Sequence, residues 1–240
     1  EGYGYTVATE MYSAGIDRLT HQPLSFSVSE TTEGVHIHII DAELMGKGEK
    51  EKKDLYIEGV QNNGIINHYE YIINSEGTIE IRHVLKPEGK MPLWFPRIGL
   101  TLTVSDALDQ VKWYGRGPQE NYPDRKTGYP TGIYASTVQA MYEPYLMPQD
   151  YGLRTDVRWL QLTTDKGIGL QFKMNEWFNF NIYPYSTDNL TKAMYTYQLQ
   201  KQKGMTLNLD YATTGVGCTA RGVFGAYKAM PQEYRRTISI

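Results

Sequence analysis

Residues 65–85 read IINHYEYIINSEGTIEIRHVL. Two runs rich in β-branched and aromatic residues, 65–73 and 78–85, flank Asn74-Ser75-Glu76-Gly77, which has the composition of a hairpin turn. The same period of two extends in both directions. Upstream, Val35-His36-Ile37-His38-Ile39 puts the apolar side chains on one face and both histidines on the other. Downstream, Leu100, Leu102 and Val104 alternate, as do Phe178, Phe180 and Ile182. Leu207 and Leu209 follow, and Ile238 and Ile240 close the chain. Lys166-Gly167 precedes residues 168–172 as a turn precedes a strand. Helical periodicity is confined to residues 11–19 and 187–194, the second of which Ser186 or Thr187 can cap. The pattern predicts an all-β fold, a sandwich of antiparallel sheets. Residues 86–96, with Pro87, Pro92 and Pro96, are the expected break or crossover between sheets.

A chain of 240 residues fits one large all-β domain or two ordinary ones, and it can bury a sizeable core. Twenty Tyr against six Phe favours half-wet surfaces and interfaces, because Tyr joins a large apolar ring to a hydroxyl. The formal charge is −3, and basic residues occur only in short mixed patches such as 47–54. Nucleic-acid binding needs a clustered basic footprint, so no nucleic-acid partner is expected. No apolar run approaches a membrane span, so no membrane partner is expected either. Cys218 is the one cysteine, which excludes an intrachain disulfide and leaves the compartment open. The chain starts at Glu1 without Met and reads as a fragment of a longer protein.

Residues 113–158 carry Glu120, Asp124, Arg125, Asp150, Arg154, Asp156 and Arg158 among Gly, Pro and many tyrosines. They read as a long irregular segment, which is usually functional or disordered, and the aromatic content argues against disorder. Glu120 and Asp124 could in principle serve as the acid and nucleophile of a glycosidase. Each has an arginine close in sequence, Arg116 or Arg125, which holds a carboxylate ionised and makes a poor general acid. The favoured reading is a partly buried network in which Glu120, Asp124, Asp150 and Asp156 pair with Arg125, Arg154 and Arg158. The tyrosines of this segment are expected mainly to pack, with one or two free to stack on the C–H face of a sugar. His36 and His38 share a strand face at a spacing a metal could use, but no third ligand is evident, so no metal is expected. Cys218 lacks a neighbouring His and reads as a small apolar residue. Gly115-Arg116-Gly117-Pro118 lacks the lysine and spaced glycines of a phosphate loop.

The stretches WYGRGPQENYPDRKTGY, from Trp113, and YEPYLMPQDYGLRTDVRWL, from Tyr142, resemble the C-terminal β-sandwich domain of family 2 β-galactosidases. The resemblance continues through FNFNIYPYSTDNL, LNLDYATTGVG and the closing EYRRTISI, with MYSAGIDRL upstream, and covers nearly the whole chain. It implies a single supersandwich domain over residues 1–240, similar to the galactose-mutarotase fold. It implies the accessory domain of a retaining exo-glycosidase that cleaves terminal β-galactosides. The catalytic glutamates would then lie in a separate barrel domain, leaving no catalytic residue here. Any magnesium or sodium of the parent would sit in that barrel, so no cofactor is expected in this chain. The implied partners are the parent's other domains and a galactoside, in a bacterial cytoplasm or periplasm, with a homo-oligomeric parent left open. In this family a loop just after the motif matched by Gly215-Val216-Gly217 reaches the active site and carries a tryptophan that stacks on sugar or aglycone. Here the loop reads Cys218-Thr219-Ala220-Arg221-Gly222-Val223-Phe224, without tryptophan. Arg221 and Phe224 are therefore the candidate substrate-binding residues. A second departure is Tyr195-Thr196-Tyr197, where the family commonly has histidine. The competing readings are an autonomous carbohydrate-binding module and a mutarotase-like epimerase. The epimerase needs an acid and a base that usually include histidine, and residues 113–158 contain none.

Overall fold

The computed structural model describes residue 11 and residues 14–46, 63–217 and 222–240. The mixed patch at 47–54, Cys218 and Arg221 lie outside the described residues. The chain divides into two compact units, Glu1–Pro96 with Lys228–Ser239, and Arg97–Tyr227 with Ile240. The division falls after Pro96, at the end of the proline-rich stretch expected to break the chain.

The first unit is an antiparallel meander of β1 (Thr20–Thr31), β2 (Gly34–Leu44), β3 (Gly64–Ile73) and β4 (Ile79–Glu88). The last strand of the chain, β11 (Tyr234–Ser239), returns beside β4, giving the order β1-β2-β3-β4-β11. The turn between β3 and β4 forms as its residues dictate. Asn74 Oδ1 accepts the amides of Glu76 at 3.0 Å and Thr78 at 2.9 Å, and Gly77 takes the left-handed φ of 83° that glycine adopts freely. Ile81, His83 and Leu85 of β4 are buried, and they pair in register with Tyr71, Tyr69 and Asn67 of β3. Ile37 and Ile39 of β2 fall on the same face, opposite Tyr71 and Tyr69. His36 and His38 take the other face, as their alternation predicts. His83 Nε2 lies 3.0 Å from Asn67 Oδ1 under the Tyr69 ring, 4.2 Å between centroids. Residues 16–18 form a short 3-10 turn where a helical turn is expected.

The second unit holds β5 (Arg97–Val104), β6 (Gln110–Arg116), β7 (Thr131–Thr137), β8 (Arg154–Thr163), β9 (Gly169–Tyr183) and β10 (Met205–Thr213). All pairings are antiparallel, in the order β7-β6-β8-β9-β10-β5. Among the unit's described residues is an α-helix, α1 (Thr187–Lys192), capped by Ser186, whose side chain accepts the Asn189 amide. The core is the alternating set read from the sequence: Phe178, Phe180, Ile182, Leu207 and Leu209, joined by Trp113, Leu160 and Leu162. Each is at most 2% exposed, so each apolar side chain contributes about 1.5–3 kcal/mol of transfer free energy.

Residues 113–158 are not one irregular segment. They include the end of β6, the whole of β7 and the start of β8. β7 escapes sequence reading because it is an edge strand with Gly132 and an exposed Ile133, so no clean apolar face marks it.

Candidate functional site

The loop after β10 is pinned at its stem. The Asp124 carboxylate, 92 and 93 residues upstream, accepts the backbone amides of Val216 at 3.1 Å and Gly217 at 2.7 Å. Gly217 sits at φ 68°, and a Cβ on Gly215 would overlap the Asp124 carboxyl group, so the motif requires glycine at both positions. On the far side the Gly215 amide donates to Tyr227 O at 2.8 Å, and the Tyr227 amide donates to Phe224 O at 3.0 Å. The second of these bonds belongs to a 3-10 turn, Gly225–Tyr227, and Phe224 just before it is 67% exposed. Of the two candidate substrate-binding residues, Phe224 is thus an exposed aromatic beside a fixed stem, and Arg221 lies outside the described residues.

The carboxylates upstream are structural, but several of their partners differ from those the sequence suggests. Glu120 is buried and accepts from four donors: Tyr122 Oη at 3.1 Å, Arg125 at 3.2 Å, the Gly152 amide at 2.9 Å, and Tyr145 Oη. Both of its oxygens are occupied, which leaves no geometry for protonating a leaving group. Asp124 binds the loop amides described above instead of an arginine. Asp156 is bonded by Arg116 Nε at 2.5 Å and Lys126 Nζ at 2.7 Å. Its φ of 54° falls where the β8–β9 register shifts, and such a bulge re-aims a side chain. Burial pushes the Asp156 pKa up, but Lys126 and Arg116 outweigh it and leave the group below the ordinary carboxylate value. Arg154 and Arg158, expected as carboxylate partners, donate to the Gly152 and Asp156 carbonyls. Their guanidinium groups lie over aromatic rings, Arg154 over Trp113 at 5.5 Å and Arg158 over Trp177 at 4.1 Å.

A second network joins exposed Asp150 and partly buried Arg97 to buried Asn181 and Asp210. Asp150 accepts from Asn181 at 2.9 Å and Tyr183 Oη at 3.1 Å, and Arg97 lies 3.0 Å from Asp210. Burial pushes the Asp210 pKa up to about 6, with Arg97 pulling the other way. Asp210 is 1% exposed, so no substrate reaches it, and its shift reflects burial in a structural pair.

Among the described residues most tyrosines are buried or half-buried, as expected of those in 113–158. Three of them line a cavity of about 580 Å³ together with Asp106, Asp109, Gln139, Lys201 and Gln202. These are Tyr142, Tyr151 and Tyr185. The Tyr151 hydroxyl is buried without a hydrogen-bond partner, and its pKa is raised by burial, then by Tyr185 and Tyr142. Tyr195 and Tyr197 stack face to face at 5.5 Å and 7°, exposed at 56% and 79%.

Two groups on the first unit have metal-ligating chemistry: His36, His38 and Glu70, and His21, Asp41 and Glu43. A third side chain able to ligate beside His36 and His38 is Glu70, which the β2–β3 register sets opposite His38.

The family model described as the beta galactosidase small chain matches residues 9–240. The chain belongs to this family. Among curated relatives, the Priestia megaterium beta-galactosidase is 38% identical over 147 residues, 61% of this chain and 14% of that protein. The Vibrio cholerae beta-galactosidase is 31% identical over 207 residues, 86% of this chain and 18% of that protein. The small-chain sequence here therefore spans less than a fifth of the length of either relative. A solved GalM/aldose epimerase homologue from C. elegans aligns over 90% of this chain and 67% of its own at 12% identity, with a TM-score of 0.39, too loose a likeness to support an argument. The antiparallel all-β architecture stands on the strand pairings alone.

Proposed function

We propose that this chain is the accessory domain of a retaining family 2 β-galactosidase that acts on terminal β-galactosides. In this reading the reacting carboxyl groups lie elsewhere in the parent, and the loop bearing Arg221 and Phe224 forms one wall of the sugar pocket. The observation that carries the proposal is coverage: 86% of the chain matches only 18% of a beta-galactosidase from Vibrio cholerae. Two features of the chain support it. Glu120, Asp124 and Asp156 are each committed to holding backbone or side chains in place, so none is free to react. Edge strand β1 exposes Leu24, Phe26 and Val28, an apolar row suited to cover by the parent's other domains. The test is kinetic. Replacing Arg221 and Phe224 together by alanine in the full-length protein raises KM or alters leaving-group preference. Unchanged kinetics on every glycoside tried rejects the loop's role.

A second reading, an autonomous carbohydrate-binding module, is favoured by the cavity of the second unit. Its tyrosine walls and ring of Asp106, Asp109, Gln139 and Gln202 suit a hydroxyl-rich ring with apolar faces. Calorimetric titration with galactose distinguishes the two. Binding at millimolar affinity or tighter that Tyr142→Ala abolishes supports the module, and its absence leaves the accessory role.

A further inference from the structure

We propose that His36, His38 and Glu70 form a binding site for a zinc-class divalent cation on the first unit. The site follows from strand geometry. Residues two apart on a strand project from one face, so β2 sets the two imidazoles side by side, with ring centroids 6.3 Å apart and planes 24° from parallel. The register then places Glu70 of β3 opposite His38, and Arg82 of β4 opposite Glu70. Glu70 Oε1 lies 3.3 Å from His36 Nδ1 and 3.9 Å from His38 Nε2, and ligand atoms of all three residues fall within 4.8 Å of one another. In a tetrahedral site with bonds of 2.0–2.1 Å, ligand atoms stand about 3.3 Å apart, so small side-chain rotations suffice to close the three onto one ion.

The surroundings suit a bound cation. Arg82 donates to the other carboxylate oxygen, Glu70 Oε2, at 3.1 Å, which leaves Oε1 directed at the histidines. A hydrogen bond to the far oxygen is the usual way a ligating carboxylate is oriented. The Arg82 charge is already answered by Glu80 at 2.7 Å, so Glu70, Glu80 and Arg82 together carry one net negative charge. His36 is largely buried, and its Nδ1 donates to Glu70 Oε1 in the metal-free chain, so a cation entering between the two displaces that proton, as metal binding to imidazole requires. His38 is half exposed, which gives the ion a way in and leaves room for water as a fourth ligand. Two imidazoles and one carboxylate favour zinc and its borderline neighbours over magnesium or calcium, which prefer oxygen donors throughout. The cation would tie β2 to β3 and stabilise this unit by mass action. Nothing in the site depends on the β-galactosidase reading, so either can fail alone. The second group, His21, Asp41 and Glu43, offers a single imidazole, on a His21 that is 64% exposed, and serves here as an internal comparison.

The experiment uses the full-length protein, stripped with chelator and titrated with zinc against a chromogenic competitor. H38N and E70Q variants are titrated in parallel, with thermal melts taken with and without zinc. The proposal expects at least one zinc per chain at micromolar affinity, and at least about tenfold weaker uptake at one site in each variant. It also expects a zinc-dependent rise in the melting temperature of the parent protein that both variants lack, while the three metal-free melts coincide. Two results would each overturn it: no uptake by the parent protein, or isotherms and melts in H38N and E70Q that match the parent's. If a variant's metal-free melt is lowered, cobalt absorption decides. A tetrahedral band in the parent protein that His36→Gln also removes supports the site, and a band retained in His36→Gln rejects it.

Discussion

Replacing Asp124 by alanine tests how the loop after β10 is held. The carboxylate is bonded to two backbone amides, of Val216 at 3.1 Å and Gly217 at 2.7 Å. A hydrogen bond to a charged group is worth about 1.5–3 kcal/mol, and Val216, 50% exposed, belongs near the bottom of that range. Allowing water to recover part of the loss, the stem should be loosened by about 2 kcal/mol, or roughly 30-fold in its local opening equilibrium. Hydrogen exchange reads this directly. In Asp124→Ala the Val216 and Gly217 amides should exchange about 30-fold faster, while Leu209 in β10 and Ile238 in β11 keep their protection. The glycine beside them supplies a second check. A Cβ on Gly215 collides with the Asp124 carboxyl group, so Gly215→Ala should cost far less stability in the Asp124→Ala background than in the parent protein. Unchanged exchange at both amides, together with additive costs for the two substitutions, would refute the claim that Asp124 sets this stem.

Other consequences can be checked on stability alone. Burial, and then nearby His68, lowers the His83 pKa from 6.5 to about 4. A depressed folded-state pKa means the stabilisation is present above pH 6.5 and is lost as pH falls toward 4, by about 3 kcal/mol in all. Asp210, raised to about 6, works in the opposite sense: its contribution is full below its unfolded value of 3.8 and is lost as pH rises through 6. Comparing the pH dependence of the parent protein with that of His83→Gln therefore isolates the histidine, and parallel curves between pH 4 and 6.5 would contradict the shift. Glu120→Ala strands the Tyr122 hydroxyl and the Gly152 amide, both buried, and should cost about 3–5 kcal/mol in denaturant melts. Phe180→Ala should cost a similar 3–5 kcal/mol by opening a cavity beside Trp113.

Several of the strands that bury one clean face are legible from the sequence, whereas β6 and β8 are not. The β3–β4 hairpin announced itself by alternation and by an Asn-to-Gly turn, and β9 and β10 by Phe178, Phe180, Leu207 and Leu209. Edge strand β7 was not legible, because neither of its faces is consistently apolar. The site was legible only where its chemistry is local. Glu120 and Arg125, five residues apart, pair as their spacing suggests. The bond from Asp124 to the loop amides spans more than ninety residues, and no local pattern announces it. Glu70 likewise meets His36 and His38 only through the pairing register of β2 with β3, which one strand cannot reveal. Charge alone points Arg154 and Arg158 to carboxylates, whereas in a region rich in Trp and Tyr they donate to carbonyls and lie over aromatic faces, with the buried Arg154 Nε left without a hydrogen-bond partner.

The most direct test of the division of labour is turnover of a chromogenic β-galactoside by the purified 240-residue chain, measured beside the full-length protein. The account predicts none from the chain alone and full activity when the remainder of the parent is present. Hydrolysis by the isolated chain at a rate near that of the parent would contradict it.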